Sequence, residues 1–201
     1  MTSPPTTRDH IRQVAAALFN QRGFNGTSMA DLAAAVGVTK SSLYHHFPSK
    51  QSLLSEIIDL TVNRVTPLLR EVAESDLPVV ERLHRAIHQH TLEGIRDQDA
   101  QACFMEEGRY LAPEFMAAHV ARRDRYEFIF RNMFEEGIAS GDFLDRDISL
   151  TVKAVLGMCN SAVRWYQPDG DLTPDEIATQ FADLAVRGVT SGPETTMGGA
   201  G

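Results

Sequence analysis

Cysteine, tryptophan and long apolar runs are all scarce in this sequence. Its 201 residues include two cysteines, Cys103 and Cys159, and one tryptophan. So few cysteines indicate small buried thiols in a reducing cytoplasm, not the disulfide framework of a secreted fold. No apolar stretch approaches the ~20 residues that cross a bilayer. The opening residues lack the basic start and apolar run of a secretory signal. We therefore expect a cytoplasmic chain with no membrane partner.

Acidic residues are absent from one short stretch of an otherwise acidic chain. The formal net charge is −8, yet the segment GVTKSSLYHHFPSK, from Gly37 to Lys50, contains no Asp or Glu. Residues 1–50 carry five basic and two acidic side chains, whereas residues 51–201 carry 14 basic and 25 acidic ones. A basic segment ahead of an acidic body indicates that the segment binds a polyanion.

Strand patterns are also absent, because no window alternates polar and apolar residues for long enough. Apolar residues instead recur at helical spacing almost throughout, as at Ile11, Val14, Ala15 and Leu18. The pattern predicts an all-α fold of about nine helices. The predicted helices run from Thr6 or Thr7 to Gly23, from Thr27 or Ser28 to Gly37, from Thr39 to before Pro48, from Ser49 along a long helix that Pro67 should kink or end, and then over about 78–95, 101–111, 113–140, 148–165 and 174–189.

Two short helices joined at a glycine form the most specific pattern in the chain. A helix-turn-helix needs a small residue where its helices cross and a turn residue that accepts positive φ. Ala33 and Gly37 supply these at the required spacing. The alternative is a solvated helical hairpin in an ordinary bundle. The outer face of the second helix carries side chains that hydrogen-bond base edges and phosphates, namely Thr39, Lys40, Ser41, Ser42, Tyr44 and His45. An acid there would repel DNA, which explains the acid-free stretch.

The segment AAALFNQRGFNGTSMADLAAAVGVTKSSLYHHFPSKQSLL, within residues 8–54, resembles the DNA-binding domain of TetR-family transcriptional regulators. The resemblance implies an all-helical homodimer whose third helix enters the major groove of operator DNA. It places Tyr44 and His45 at DNA-contact positions. It also places Thr27 and Lys50 at phosphate-contact positions, and the partial positive charge of a helix N-terminus adds to the contact at Lys50.

The same resemblance implies a division of the chain into domains. Residues 1–50 would bind DNA, with a long connecting helix from about residue 49. Residues 51–190 would bind a small effector and dimerise. The Gly-rich residues 191–201 lack an apolar face and are predicted to be disordered.

A later segment, GIASGDFLDRDISLTVKAVLGMCNSAVRWYQPDGDLTPDEIATQF, is similar to the C-terminal part of actinobacterial TetR-type repressors of lipid and sterol catabolism. Those repressors respond to acyl-CoA thioesters, so the resemblance implies such an effector, which would release the operator. Aromatic residues and methionines interleaved with arginines favour the same effector, although this pattern is also typical of an ordinary core. A regulator of multidrug efflux that senses hydrophobic or cationic compounds is the alternative. The candidate effector-binding residues are Phe104, Met105, Arg109, Tyr126, Phe130, Met158 and Trp165.

The last two predicted helices are rich in small and apolar residues. An apolar stripe at Ile177, Phe181, Leu184 and Val189 predicts a four-helix bundle between two subunits. Packing within one subunit is the alternative. Dimerisation is the better prediction, because helix-turn-helix proteins bind two half-sites.

Other classes of function have less support. The sequence has no P-loop, no dinucleotide-binding glycine pattern and no nucleophile elbow, so it indicates neither an enzyme nor a cofactor. Glu81, His84 and His88 share roughly one face of a predicted helix and are candidate ligands of a metal-sensing repressor. A general helical interaction protein is the third alternative. The sequence leaves open whether the regulator represses or activates.

Overall fold

The computed structural model describes residues 7–190, and this part of the chain contains nine α-helices and one 3-10 turn. The helices are α1 Thr7–Arg22, α2 Met29–Val36, α3 Lys40–His46, α4 Lys50–Ala73, α5 Val79–Arg96, α6 Gln98–Glu107, α7 Pro113–Ser140, α8 Ile148–Trp165 and α9 Pro174–Val189, with the 3-10 turn at Gly108–Tyr110. Within residues 7–190, strand-like pairing is limited to an isolated bridge between Phe143 and Thr190. The predicted all-α fold is confirmed. The tail predicted to be disordered, residues 191–201, lies outside the described residues.

Local sequence signals set the ends of the short helices. α2 begins at a capping box, in which the Ser28 hydroxyl accepts the Asp31 N–H and the Asp31 carboxylate accepts the Ser28 N–H. The Thr39 hydroxyl caps α3 by accepting the Ser42 N–H at 3.1 Å. α2 ends at Gly37, whose φ of 79° lies in the left-handed region that glycine adopts without steric cost. These ends lie where the sequence predicts them.

The predicted extent of α6 is corrected. The helix begins at Gln98 and ends at Glu107, instead of covering about 101–111. Charged and polar residues around Asp97 suggested a longer break, but Asp97 alone separates α5 from α6. The following residues tighten into the 3-10 turn, a common ending for a helix.

One of the two predicted effects of Pro67 is corrected: the residue does not end α4, which continues to Ala73. The other effect, a kink, stays a prediction. Proline removes one backbone hydrogen bond from a helix interior. Val65 and Leu69, on either side of it, are both buried. Their burial stabilises the helix by roughly 1.5–3 kcal/mol for each side chain, which offsets the lost bond.

The chain divides into two compact units. The first unit contains the residues up to 64 together with 97–124, and the second contains 65–96 together with the residues from 125 onward. α4 and α7 each contribute residues to both units. This division describes packing and leaves the predicted division of functions, 1–50 and 51–190, as a prediction.

Each unit has a core of its own. In the first unit, α1, α2, α3 and the beginning of α4 bury one apolar cluster, whose largest fully buried side chains include Phe19, Phe47 and Leu53. In the second unit, α5 packs against α8 and α9, where Ile95, Ala162 and Ile177 are buried together. Among residues 7–190, none of the helices combines the length and the apolar character needed to cross a membrane.

Candidate nucleic-acid interface

The outer face of α3 is open to solvent because the inner face is fixed in the core. Leu43 and Phe47 are fully buried, and Phe47 ends the helix. Tyr44, between them, is 43% exposed, and the Lys40 Nζ lies 5.9 Å from the centre of its ring. The predicted DNA-contacting side chains of this surface are Thr39, Lys40, Ser41, Tyr44 and His45, which are exposed, and Ser42, which is partly buried. We call this surface, residues 39–45, the DNA-reading face, after the role that the sequence predicts for it.

The acids that flank this surface in sequence are both engaged with other residues. Asp31 accepts hydrogen bonds from the Ser28 hydroxyl and backbone N–H, which lower the pKa of its carboxyl below the usual value. Glu56 forms ion pairs with Arg8 and Arg12. The two guanidinium groups offset the charge of Glu56, whereas Asp31 stays ionised in the first turn of α2, where the partial positive charge of the helix N-terminus offsets part of its charge.

Arg8 also supports the end of α3. Its guanidinium donates to the His46 carbonyl at 2.9 Å and lies over the Phe47 ring, 4.5 Å from the centroid. A cation over an aromatic face is attracted by the ring quadrupole. α1 thus holds the last turn of α3 through one side chain.

Lys50, predicted to contact phosphate, is already bound within the protein. Its ammonium donates to the Phe24 carbonyl at 2.7 Å and to the Thr27 carbonyl at 2.9 Å, and it lies 4.1 Å from the centre of the Phe24 ring. Partial burial lowers the pKa of its amine. An ammonium group has three N–H donors, so two are used here and one is left for a phosphate.

Thr27, also predicted to contact phosphate, is 1% exposed. Its hydroxyl donates to the Gly23 carbonyl at 3.0 Å. This bond and the Lys50 bond to its carbonyl fix the turn between α1 and α2. The structure therefore places the Thr27 side chain in the interior of the turn.

The candidate effector residues of the first unit belong to one short segment. Phe104 lies in α6, with its ring 4.8 Å from that of His119. Met105 is exposed, and Arg109 lies over the Tyr110 ring at 5.0 Å. The remaining four candidates belong to the second unit.

Two of those four form a buried aromatic group. Tyr126 and Phe130 are 5% and 0% exposed, and their ring centroids lie 5.7 Å apart. The Tyr126 hydroxyl lies 2.5 Å from His90 Nδ1. Burial is the main cause that lowers the pKa of His90, to about 4, and it also raises the pKa of Tyr126. His90 is therefore neutral at physiological pH.

The last two candidates lie on α8. Met158 is partly buried, and Trp165 is 50% exposed with its ring 6.1 Å from that of Phe181 on α9. Other large apolar side chains of these two helices also face solvent, notably Leu150 and Leu184, which are 67% and 60% exposed. Exposed apolar side chains of this kind are typical of a protein–protein interface.

A buried charged group in the first unit was missed by the sequence reasoning. The Asp59 carboxylate accepts from His119 Nδ1 at 2.8 Å and pairs with Arg122. Burial opposes ionisation of Asp59, but hydrogen bonds from His119 and Arg122 outweigh it, so its pKa lies below the usual value. The one signal in the sequence is an acid directly after the apolar pair Ile57 and Ile58.

Two nitrogen atoms of this group have no hydrogen-bond partner among the described residues. They are His119 Nε2 and Arg122 Nε, and both atoms are buried. Buried polar atoms in native proteins are nearly always hydrogen-bonded. These two are therefore suited to a polar atom of a bound molecule.

The three candidate metal ligands contact three different partners. Glu81 pairs with Arg85, His84 Nε2 lies 2.9 Å from an Asp183 carboxylate oxygen, and His88 Nε2 lies 3.2 Å from one of Asp175. No cluster of three or more potential metal-binding side chains occurs within residues 7–190. The two histidines instead connect α5 to α9.

Both cysteines are buried thiols. Burial raises the pKa of Cys103 to about 12 and that of Cys159 to about 11. Since the thiolate is the reactive form, both side chains behave as small core residues. The prediction that they are core residues is confirmed by their burial.

Family models match both parts of the chain. A model described as bacterial regulatory proteins, tetR family, matches residues 11–57. A model described as the tetracyclin repressor-like C-terminal domain matches residues 76–189. Together they include the DNA-reading face and the helices α5 to α9.

The chain is similar to the repressor KstR2 of actinobacteria. The HTH-type transcriptional repressor KstR2 of Rhodococcus jostii is 29% identical, over 95% of this chain and 98% of its own length. The ketosteroid transcriptional regulator KstR2 of Mycobacterium tuberculosis has the same fold, with a TM-score of 0.84 at 24% identity, over 94% of this chain and 98% of that one.

Two further solved structures are similar over most of their length. PfmR of Thermus thermophilus, a TetR-family transcriptional regulator, is 34% identical with a TM-score of 0.82, over 89% of this chain and 98% of that one. AibR, solved in complex with isovaleryl coenzyme A and operator DNA, is 28% identical with a TM-score of 0.77, over 92% of this chain and 98% of that one.

Proposed function

The chain belongs to the tetR family of bacterial regulatory proteins, and on that premise we propose that it is a repressor which binds operator DNA as a homodimer and leaves the operator when an acyl-CoA thioester binds. Membership confirms the resemblance drawn from the sequence, and the relatives named as the repressor KstR2 confirm its actinobacterial part. The chain is thus a transcriptional regulator, not an enzyme. The site of action that we propose is the cytoplasm, where bacterial operator DNA lies.

The observation that carries operator binding is the DNA-reading face. Leu43 and Phe47 anchor one side of α3, and the opposite side presents hydroxyl, ammonium, phenol and imidazole groups to solvent. These groups hydrogen-bond base edges and phosphates in the major groove. We assign base contacts to Tyr44 and His45, and supporting contacts to Thr39, Lys40, Ser41 and Ser42.

Lys50 has a structural role beside the phosphate contact that the sequence predicts. Two of its three N–H donors hold the Phe24 and Thr27 carbonyls, so we propose that the third contacts phosphate at the beginning of α4. Thr27 then contributes through the position of the turn, since its hydroxyl is bound to Gly23. Lys50 is therefore both a phosphate contact and part of the fold.

The test of operator binding uses labelled duplexes from the promoter regions beside the protein's own coding sequence. We expect specific binding at nanomolar concentrations, because specific complexes typically have Kd values of about 10⁻⁸ to 10⁻¹¹ M. Affinity should fall steeply with salt as phosphate contacts release counterions. Binding no tighter than to a random duplex of equal length, at every promoter tested, would contradict the proposal.

Dimerisation through α8 and α9 rests on the exposed Leu150, Trp165 and Leu184 side chains. Two recognition helices in a dimer read half-sites about 34–36 Å apart. Leu184→Glu should convert the dimer to a monomer in light scattering, because it places a charge in an apolar interface. Leu172→Glu is the matched control, since Leu172 is also exposed but precedes α9. A Leu184→Glu dimer as stable as the wild type would rule out this interface.

The effector proposal rests on two observations: the similarity to AibR, and the buried charged group formed by Asp59, His119 and Arg122. The similar regulator AibR was solved with isovaleryl coenzyme A. In this chain, Arg122 Nε is a buried donor without a partner among the described residues, and the ring of its neighbour His119 lies 4.8 Å from that of the candidate residue Phe104. A thioester carbonyl is an acceptor within an otherwise apolar acyl group, and we assign it to Arg122 Nε.

Calorimetry with a panel of ligands tests the effector class. The panel contains acyl-CoA thioesters, free CoA, the free acids and multidrug-type cations, and each ligand is then tested for operator release. We expect the thioesters alone to bind and to release DNA, with a coupling of roughly 1–3 kcal/mol. Release by the cations, with no response to any thioester, would instead identify an efflux regulator.

A further inference from the structure

Hydrogen bonds of Lys50, Gln51 and Glu107 join three segments of the first unit. They are the turn between α1 and α2, the first turn of α4, and the link from the end of α6 to the start of α7. We propose that Gln51 and Glu107 are positioning residues for DNA binding, which hold Lys50 in the place where it contacts phosphate. The inference rests on the proposed function, because it assumes that Lys50 contacts operator DNA.

Glu107 holds the turn between α1 and α2. Its carboxylate is buried, 7% exposed, and accepts the Phe24 backbone N–H at 2.7 Å. Glu107 also ends α6, where the negative end of the helix dipole disfavours an acid. A buried acid at such a position is costly unless it is bound, so this hydrogen bond has a positional role. It acts on Phe24, whose carbonyl and ring both bind Lys50.

Gln51 joins the first turn of α4 to the same link. Its side-chain N–H donates to the Tyr110 carbonyl at 2.7 Å, and its side-chain oxygen accepts the Ala112 N–H at 2.9 Å. One amide thus satisfies two backbone groups on either side of Leu111. Since Gln51 directly follows Lys50, these bonds fix the backbone that carries the ammonium group.

Aromatic contacts connect the same residues. The Phe24 ring stacks on the Tyr110 ring at 5.9 Å with an interplanar angle of 16°. Lys50 lies over Phe24 at 4.1 Å, and Arg109 lies over Tyr110 at 5.0 Å. Cations therefore stand next to both stacked rings, an arrangement that ring quadrupoles favour. The position of Lys50 consequently depends on the segment that follows α6.

The dependence has a functional consequence. Arg109 and Phe104, candidate effector residues, lie in or beside this segment. A change in the link that loosens Gln51 or Glu107 would move the phosphate-binding ammonium without altering the DNA-reading face itself. DNA binding is in this way set partly by residues outside the helix-turn-helix.

A double-mutant cycle on the full chain tests the inference. Operator affinity and its salt slope are measured for Glu107→Ala, Gln51→Ala and Lys50→Met, and for each of the first two combined with Lys50→Met. We expect each single change to weaken binding about tenfold and to lower the salt slope by about one. The double variants should bind no more weakly than Lys50→Met alone, because both positioning residues act through Lys50.

Controls separate this role from general loss of structure. Glu106→Ala changes an exposed acid beside Glu107 and should leave affinity and slope unchanged. Glu107→Gln keeps an oxygen that accepts the Phe24 N–H and should recover most of the affinity, which keeps the test valid if Glu107→Ala fails to fold. Folded variants with unchanged affinity, or losses that add fully to that of Lys50→Met, would overturn the inference. A wild-type chain that binds no operator would overturn the proposed function instead.

Discussion

The DNA-reading face of the first unit and the His90–Tyr126 pair of the second unit differ in where their polar groups lie. In the first unit, the side chains assigned to DNA lie on the surface of a short capped helix, with Tyr44 43% exposed. In the second unit, His90 and Tyr126 are bonded to each other in the interior. A surface for a macromolecule is built by local signals along one stretch of chain, whereas a buried polar group depends on residues far apart in sequence.

The largest expected effect comes from truncating one fully buried ring in each unit. Phe47→Ala and Phe130→Ala each remove a side chain that is 0% exposed. Each should lower the free energy of unfolding by roughly 3–5 kcal/mol, the usual cost of such a cavity. Hydrogen exchange should locate the loss of protection in the first unit for Phe47→Ala and in the second for Phe130→Ala. Equal loss in both units for either variant would contradict the division into two compact units.

The second expected effect is a loss of stability in mild acid through His90. Burial lowers its pKa from 6.5 to about 4 in the folded chain. Between these values the unfolded chain binds a proton that the folded chain does not, so stability is complete above about pH 6.5 and falls as the pH drops toward 4. The expected loss is roughly 3 kcal/mol, since each tenfold change in proton affinity is worth about 1.36 kcal/mol.

Chemical denaturation at a series of pH values measures this effect. His90→Gln should flatten the profile between about pH 4 and 6.5, because the titrating group is gone. His45→Gln, at an exposed histidine of the first unit, is the matched control and should keep the wild-type profile. Asp59 acts at lower pH, since its pKa lies below the usual 3.8 and its stabilising effect is lost only as the pH falls further. A His90→Gln profile as steep as that of the wild type would exclude His90 as the cause.

The parts of the structure that sequence alone predicts are those set by neighbours in the chain. Ser28, Gly37 and Thr39 end or begin helices through bonds to residues a few positions away. Such bonds depend on residue type and spacing, which are visible in the sequence. The helix-turn-helix and its exposed face could therefore be placed before the structure.

The remaining contacts join residues that no local pattern connects. Asp59 meets His119 sixty positions later, and Phe24 meets Glu107 eighty-three positions later. The inward direction of Lys50 depends equally on where the Phe24 and Thr27 carbonyls lie. These positions follow from tertiary packing, so helical periodicity carries no information about them.

The third prediction compares an exposed aromatic side chain in each unit. Tyr44→Ala should weaken operator binding by about 1–3 kcal/mol, the usual range for a base contact, and leave the dimer intact. Phe128→Ala removes a ring of the second unit that is 58% exposed and should leave operator affinity unchanged. Fluorescence anisotropy with the same duplex measures both. Equal operator affinities for the two variants would show that Tyr44 makes no base contact.

The smallest expected effect is the loss of stability when a capping box is removed, and the chain offers two capping boxes with the same hydrogen-bond pattern. Ser28 caps α2 with Asp31, and Thr173 caps α9 with Glu176. Ser28→Ala and Thr173→Ala should each lower the free energy of unfolding by about 1 kcal/mol. Ser28→Ala should also weaken operator binding a few-fold, because α2 supports α3, whereas Thr173→Ala should not. Operator binding that is equally weakened in both variants would show that caps act only through overall stability.

Pro67 affects how readily α4 bends. Proline supplies no N–H, so the helix lacks one backbone hydrogen bond at this residue. The boundary between the two units falls a few residues earlier in the same helix, between Arg64 and Val65. A helix that lacks one backbone hydrogen bond bends at a lower energy cost than an intact one. We therefore expect α4 to bend more readily close to this boundary than along its uninterrupted turns.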